Sequence, residues 1–415
     1  MAGTPADDHQ PSSLAWIESL ATITRPRDQS QDRRIGWTIW ACLLVTSCIW
    51  VTFGPKRSVT PAYFFGAEQW VAGLPLYNHE GIGFLYLPQA AILFAPFAAL
   101  PTALAEVLWR LMTIGIYAWG VRCFVRLAEH GSSRPLFALT SLVAAPLALS
   151  GARNGQATLP MAGMMMAAVA YLATKSWWRA AVCLVVALAI KPLVIVLILL
   201  SVTIYRPLVG RLLVALGVML AIPFLMQDPA YVQSQYAAFA QSLQLANAHS
   251  NVEYFAQLFG LLRVVGLDVS DQAQTAWRGA FAILTLVACI YYSRRIEAAR
   301  WGVYFYALST SYLMLFNPRT ENNTYSMLAP AMAVFFAWAV IEKKPFRTIL
   351  LGGIILGTLG SFEIGRLVTP KPQAVWLAPL MCVFFSGCVV RDLLTNRTAT
   401  LQLPAGGSAS SVIQA

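Results

Sequence analysis

The sequence is poor in charged residues, which make up only 11% of its 415 positions. Soluble domains carry about 25% charged residues. Hydrophobic residues account for 58% of the chain, and the apolar stretches extend over almost its whole length. A larger core could not absorb this shortage of charge, because a soluble fold of this size would still need a charged surface. The composition therefore excludes a soluble fold and indicates one continuous, all-α, polytopic membrane domain.

Motifs of soluble metabolic chemistry are also missing. The sequence has no Walker loop, no Rossmann fingerprint, no His-Glu-x-x-His and no Gly-x-Ser-x-Gly motif. It has no Asp-x-Asp pair to hold a metal on a nucleotide diphosphate, and its seven cysteines form no Cys-x-x-Cys pair. We therefore expect neither a metal nor a cofactor.

The net charge of +11 comes from basic residues that sit singly or in pairs between apolar runs. A nucleic-acid binder would concentrate them on one polar face, so no nucleic-acid partner is expected. Such spacing is typical of the positive-inside rule. Nearly every basic cluster falls inside if the N-terminus is cytoplasmic, 84–99 does not cross, and 180–204 forms a hairpin. We expect a multi-pass protein of the inner (plasma) membrane with both termini in the cytoplasm.

The apolar runs divide the chain into three parts. A polar cytoplasmic segment covers 1–34, a membrane domain covers 35–391, and a disordered cytoplasmic tail covers 392–415. The first extracytoplasmic loop, 54–83, carries helical spacing that predicts a short interfacial helix. Crossing the membrane takes about 20 residues. Ten segments approach that length: 36–53, 103–121, 136–150, 158–174, 208–226, 275–293, 301–316, 324–341, 348–362 and 374–390.

Two cations are placed unusually for a membrane protein. Lys191, followed by Pro192, lies in the middle of an apolar stretch, where a charged group is costly and is by default a functional candidate. It would bind an anionic group such as a phosphate; snorkelling or a structural ion pair is the alternative. Arg319 lies on the outer side against the positive-inside bias, which predicts a local anionic partner, and Glu321 is a candidate for it.

The remaining polar stretches fall on the same outer face: residues 153–156, the 228–252 loop, 317–323 and the first loop. Gln156 and Asn154 precede a predicted helix, so plain capping is their structural alternative. Glu68 lies among aromatic residues of the first loop, where an anchoring helix is the alternative reading. Because these stretches meet at one face, we expect an extracytoplasmic site.

Several short motifs follow one another between about residues 55 and 340. They are Ala72-Gly73-Leu74-Pro75-Leu76-Tyr77, Phe84-Leu85-Tyr86-Leu87-Pro88, Leu108-Trp109, Asn154-Gly155-Gln156, Ala189-Ile190-Lys191-Pro192 and the stretch from Asn317 to Tyr325. Together they resemble glycosyltransferase family 87, a branch of the polytopic GT-C superfamily. The resemblance implies a GT-C-like bundle of about 10–12 membrane helices with a loop helix on the outer face.

The resemblance also implies an activity. It is that of a hexosyltransferase that moves a sugar from a polyprenyl-phosphate carrier to a lipid or glycan acceptor at the extracytoplasmic face, with inversion and without a metal. Membrane lipids would surround it. The alternatives are a flippase or transporter of lipid-linked sugars and a non-catalytic family member. A flippase should show paired broken helices, and only one Lys-Pro break is present.

Site residues follow from the resemblance together with the outer-face placement. Family members commonly carry an Asp in the first outer loop, but that slot falls near Val59, where this sequence has no carboxylate. Either Glu68, Glu80 or Glu321 then acts as general base, or the protein is not an ordinary catalyst; cations would stabilise the leaving phosphate. The expected set is Glu68 and Glu80 for catalysis, Lys191, Arg319 and Arg153 for the donor phosphate, and Asn154, Gln156, Tyr86, Glu321, Asn322 and Asn251 for substrate.

Overall fold

The computed structural model describes residues 28–54, 57–77, 84–132, 134–248, 255–369 and 375–401. The chain is 82% helical, and no strand occurs within these ranges, so the all-α prediction is confirmed. The helices are α1 (Gln29–Phe53), α2 (Thr60–Val71), α3 (Pro88–Ala98), α4 (Thr102–Ala128), α5 (Phe137–Asn154), α6 (Thr158–Ala173), α7 (Trp177–Ile190), α8 (Ile195–Ile204), α9 (Leu208–Met226), α10 (Pro229–Ala248), α11 (Leu258–Val264), α12 (Asp271–Ser293), α13 (Ala298–Phe316), α14 (Ala329–Ile341), α15 (Pro345–Leu359), α16 (Ser361–Val368) and α17 (Leu377–Leu401).

Five helices of the described chain are long and apolar enough to cross a membrane, namely α1, α4, α9, α12 and α17. A sixth span results if α15 and α16, which are bent by 78° at their junction, are counted as one. Five shorter apolar helical segments pack with them, among them α6, α7 and α14. The prediction of a multi-pass membrane protein is confirmed.

Helix α6 lies at the centre of the bundle and packs against α4 and α7. Its sequence is rich in alanine, glycine and methionine, and most of its residues are buried. A methyl group added at Gly163, or at Gly120 on α4, would overlap backbone atoms of the facing helix. Small residues of this kind allow membrane helices to approach closely. The close crossing of α4 and α6 fixes the centre of the fold.

The predicted hairpin over 180–204 is present. Helix α7 ends at Ile190, a 3-10 turn covers Pro192–Val194, and α8 returns. Trp177 at the start of α7 and Tyr205 after α8 meet with ring centroids 6.0 Å apart, so the segment begins and ends at the same side. The preceding apolar stretch, 84–99, contains only the 11-residue helix α3. A helix of that length reaches about 16 Å and does not span the hydrocarbon core alone.

The prediction of a polar loop over 228–252 is wrong, because most of this segment forms the 20-residue helix α10. Asp228 caps its start by accepting hydrogen bonds from the backbone amides of Ala230 and Tyr231. Two of its residues bond to the first outer loop. The Tyr231 hydroxyl donates a hydrogen bond to the Leu74 carbonyl at 2.7 Å. Gln235 accepts a hydrogen bond from the backbone amide of Leu76 at 2.9 Å. Helix α10 thus packs against the loop that carries α2.

The first and last helices both run across the boundaries predicted for the membrane domain. Helix α17 continues to Leu401, past residue 391. Helix α1 begins at Gln29, and Asp32 within the predicted polar segment is buried. Its carboxylate accepts hydrogen bonds from the backbone amides of Phe137 and Ala138 at 3.2 and 3.0 Å. Because these amides have no partner inside their own helix, Asp32 caps α5 from a distant part of the chain.

Candidate active site

A cavity of about 550 Å³ opens between the first-loop helix α2, the turn between α7 and α8, and the stretch that follows α13. Its charged lining residues are Lys191, Arg319 and Glu321. Its other lining residues are Val59, Ala62, Tyr63, Leu85, Tyr86, Gln156, Pro192, Leu193, Ile195, Val196, Leu243, Tyr312, Leu313, Phe316, Asn317 and Pro318. Five residues expected in the site from the sequence therefore lie together: Tyr86, Gln156, Lys191, Arg319 and Glu321.

Lys191 reaches the cavity because the helix breaks beside it. Helix α7 stops at Ile190, and Lys191 adopts an extended backbone with φ −156° and ψ 131°. Pro192 lacks an amide proton and starts the 3-10 turn. The Lys191 ammonium donates a hydrogen bond to Thr158 Oγ1 at 3.2 Å, which holds it over the start of α6. Among the described residues no carboxylate forms an ion pair with Lys191.

Arg319 and Glu321 flank the buried Thr320 in the stretch after α13. Thr320 anchors this stretch, since its carbonyl accepts a hydrogen bond from the Ala256 amide at 2.6 Å. Arg319 and Glu321 are both exposed and both line the cavity. The expected Arg319–Glu321 ion pair is not formed; the Arg319 guanidinium instead lies 5.5 Å from the centre of the Phe255 ring. Glu321 therefore presents its carboxylate to the cavity.

Gln156 is placed by the junction of α5 and α6. Gly155 ends α5 in the left-handed conformation, with φ 69°, and the Gln156 amide donates to the Gly151 carbonyl at 2.9 Å. Helix α6 starts at Thr158 without a side-chain cap. Gln156 therefore does not cap this helix, which was the alternative role considered from the sequence. Its side chain lines the cavity instead.

Aromatic residues from separate motifs form one wall of the site. The Tyr86 hydroxyl donates a hydrogen bond to the Tyr63 hydroxyl at 3.1 Å, and that oxygen also accepts from the Ala157 amide at 3.3 Å. Burial raises the pKa of both phenols, so both remain protonated. The Trp109 indole donates to the Gly155 carbonyl at 2.8 Å and packs edge-on against Tyr63. Motifs that are far apart in the sequence thus meet beside the cavity.

Behind this wall lies a buried ion pair on α4 that the sequence analysis did not single out. Glu106 and Arg110, four residues apart, pair with each other, and the Arg110 side chain is fully buried. A glutamate and an arginine at i and i+4 inside an apolar span were the available signal.

The pair holds the chain that leads into α2. Glu106 accepts hydrogen bonds from the hydroxyls of Ser58 and Thr60, and Arg110 donates to Ser58 Oγ at 3.0 Å. Val59 lies between Ser58 and Thr60, and its amide donates a hydrogen bond to the Asn154 carbonyl at 3.0 Å. Val59 is consequently fixed at the cavity wall, at the slot where the sequence analysis looked for an acid.

Other expected site residues are placed elsewhere. Glu68 is exposed on α2 and does not line the cavity. The Arg153 guanidinium lies 5.3 Å from the centre of the Trp50 ring, and Asn154 contributes its backbone rather than its side chain. Asn322 accepts a hydrogen bond from Ser361 at 3.1 Å. Two further expected residues, Glu80 and Asn251, lie outside the described residues. Within those residues, no group of three or more His, Cys, Asp or Glu side chains could hold a metal ion.

The fold and this cavity define a polytopic membrane protein with a charged site at one end of its helix bundle. The sequence model of glycosyltransferase family 87 matches residues 84–318, more than half of the chain. The chain belongs to this family and is a membrane glycosyltransferase. The match includes Tyr86, Trp109, Gly155 and Lys191 and ends beside Arg319. No curated protein matches the chain in sequence.

Proposed function

We propose that the cavity is the active site of a transferase that takes a sugar from a polyprenyl-phosphate carrier. The sugar passes to a hydroxyl group of a lipid or glycan acceptor on the extracytoplasmic side of the membrane. The observation that carries this proposal is the meeting of two cations and one carboxylate, Lys191, Arg319 and Glu321, in a single cavity.

The donor's two chemical parts match two parts of the cavity. Lys191 and Arg319 provide positive charge for the phosphate, and charged hydrogen bonds to phosphate are among the stronger ones. Leu193 and Ile195 line the same cavity and belong to the apolar hairpin arm that continues into α8. Leu199 on that helix is exposed, as expected for a surface that faces lipid. A prenyl chain can therefore follow α8 while its phosphate stays in the cavity.

The proposed chemistry is a direct displacement. The acceptor oxygen attacks the anomeric carbon, the bond from that carbon to the phosphate oxygen breaks, and the phosphate leaves with the electron pair. Lys191 and Arg319 stabilise the charge on the leaving phosphate without needing a metal. Glu321, which among the described residues is the carboxylate that lines the cavity, accepts the acceptor's proton. Attack from the face opposite the phosphate inverts the anomeric carbon.

Donor binding is tested by transfer of labelled sugar from a polyprenyl-phosphate donor with purified, reconstituted protein. Lys191→Ala and Arg319→Ala each remove a cation, and a charged hydrogen bond contributes about 1.5–3 kcal/mol, so transfer should fall roughly ten- to a hundredfold. Lys191→Arg should keep part of the activity. The matched control is Arg206→Ala, an exposed residue after the other end of the hairpin. Full activity in both alanine variants would place the phosphate elsewhere.

The base is tested by two nearly isosteric changes. Glu321→Gln should abolish transfer while donor binding and folding stay intact, because the amide cannot accept the proton. Glu68→Gln should stay active, since Glu68 does not line the cavity. Glu68 remains the alternative from sequence. Loss of transfer in Glu68→Gln with full transfer in Glu321→Gln would assign the base to the first loop.

A further inference from the structure

A second cavity, of about 500 Å³, lies at the opposite end of the bundle from the candidate active site. Helix α13 connects the two regions: Arg300 near its start lines this cavity, and Phe316 at its end lines the other. The helix has 19 residues, which corresponds to about 28 Å. The second cavity lies at the end that the positive-inside pattern assigns to the cytoplasm. Its lining residues are Arg300, Glu342, Lys343, Lys344, Pro345, Phe346, Arg347, Leu350, Cys388, Arg391, Asp392 and Thr395.

The cavity has more positive than negative charge. Both of its carboxylates are paired, Glu342 with Lys344 at 2.7 Å and Asp392 with Arg347. Three further cations, Arg300, Lys343 and Arg391, form no ion pair with any described residue. All three are exposed and line the same cavity, where like charges repel one another, and an anion bound among them removes that repulsion.

The backbone and the neighbouring rings hold these cations in place. Lys343 lies in the turn between α14 and α15 and adopts a left-handed conformation, with φ 51°. This conformation closes α14, since the amides of Lys343 and Lys344 donate to the carbonyls of Val340 and Ala339. The Arg300 guanidinium lies 5.3 Å from the centre of the Trp338 ring, a cation–π distance. The positive charges are therefore built into the turn and into the start of α13.

An apolar, outward-facing surface adjoins the charges. Phe346 and Ile349 on α15 are 71% and 60% exposed, and Leu394 on α17 is 53% exposed. Helices α15 and α17 form two sides of the cavity. In a membrane protein, exposed apolar side chains of this size face acyl chains. A ligand that fits has an anionic head and an apolar tail.

We propose that this cavity binds the headgroup of an anionic phospholipid, with its acyl chains along α15 and α17. Arg300, Lys343 and Arg391 bind the phosphate and any further negative charge of the headgroup. Basic pockets near the membrane surface recognise anionic lipids through the same combination of charge and apolar contact. This site is separate from the proposed active site and does not depend on the proposed transfer.

Lipid binding is measured by native mass spectrometry on the full chain, released from detergent after titration with phosphatidylglycerol or phosphatidylcholine. The wild-type protein should retain phosphatidylglycerol preferentially. The double variant Lys343→Gln with Arg391→Gln should lower that affinity about tenfold or more, because two charged contacts are lost. Arg391→Lys keeps the charge and should retain most of the binding. The matched control is Arg126→Gln with Arg206→Gln, two exposed arginines outside the cavity.

Three results would overturn the proposal. The first is equal retention of the two lipids by the wild-type protein. The second is an equal loss of phosphatidylglycerol from the control and from the cavity variant, because the effect would then come from overall charge. The third concerns a free anion: inorganic phosphate that raises the unfolding temperature as much as phosphatidylglycerol, and that competes with it, would make the cavity an anion site without lipid specificity.

Discussion

The buried pair of Glu106 and Arg110 gives the sharpest quantitative prediction about the fold. Exposure of the Arg110 side chain is 0% and that of the Glu106 side chain is 10%. Removal of one member leaves the other as an unpaired charge in the protein interior, which typically costs about 3–5 kcal/mol. The two single variants differ in what they leave behind, so the structure predicts an order as well as a magnitude.

Arg110→Met leaves Glu106 with two hydroxyl donors, Ser58 and Thr60, and a carboxylate can also take up a proton. We expect this variant to lose about 3 kcal/mol of the free energy of unfolding, the lower end of that range. Glu106→Gln keeps a hydrogen-bond acceptor but leaves the guanidinium charge without an anion. Because an arginine does not release its proton, we expect this variant to lose about 5 kcal/mol of the free energy of unfolding, the upper end of that range.

The measurement is the free energy of unfolding, from denaturant titration in one detergent. Arg126→Met, an exposed position on the same helix, is the matched control and should change stability by no more than about 0.5 kcal/mol. The double variant Glu106→Gln with Arg110→Met should cost less than the sum of the same two single variants, with a coupling of about 0.5–3 kcal/mol. Additive costs, or an Arg110→Met variant as stable as the control, would refute the assignment of a stabilising buried pair.

Two further predictions concern capping and orientation. Asp32→Ala should lower the free energy of unfolding by about 0.5–2 kcal/mol, because two buried amides of α5 lose their acceptor; unchanged unfolding would show that water replaces the carboxylate. In a cysteine-free background, Glu321→Cys should react with an impermeant thiol reagent from outside intact cells, and Arg206→Cys only after permeabilisation. The reverse pattern would invert the proposed topology.

Much of the helical architecture could be predicted from the sequence, because a membrane allows few backbone structures. A long apolar run has few alternatives to a helix in lipid, so the predicted segments are largely helical in the described chain. Two are interrupted: 348–362 breaks at Gly360, and 324–341 begins with a 3-10 turn. The same reasoning identified Lys191, since a lysine and a proline inside an apolar stretch need a break and a polar environment. The sequence analysis expected Lys191, Gln156 and Arg319 at one face of the bundle, and all three line the same cavity.

What the sequence did not reveal depends on contacts between distant residues. Helix α10 was taken for a loop because it is polar, but its Gln235 is buried and accepts a hydrogen bond from Leu76 of the first outer loop. Glu106 was passed over as part of a span because its partner hydroxyls come from residues almost 50 positions earlier. No ion pair joins Arg319 to Glu321, which was the structural alternative for this stretch; the guanidinium lies beside the Phe255 ring.

In the proposed mechanism, Val59 occupies the slot of the family's Asp, so another residue has to act as the base. The first loop brings Val59 to the cavity wall, where the resemblance to the family had led us to look for an Asp. Glu106 lies close by, but it is paired with Arg110, is not part of the cavity lining, and is needed to hold the loop. Use of Glu106 as the base would release the contacts that shape the site. Glu321 carries no such structural duty, because no described residue forms an ion pair or a hydrogen bond with its carboxylate. A proton can therefore reach Glu321 without disturbing the loop, and the acceptor hydroxyl should enter beside the stretch that follows α13 rather than beside α2.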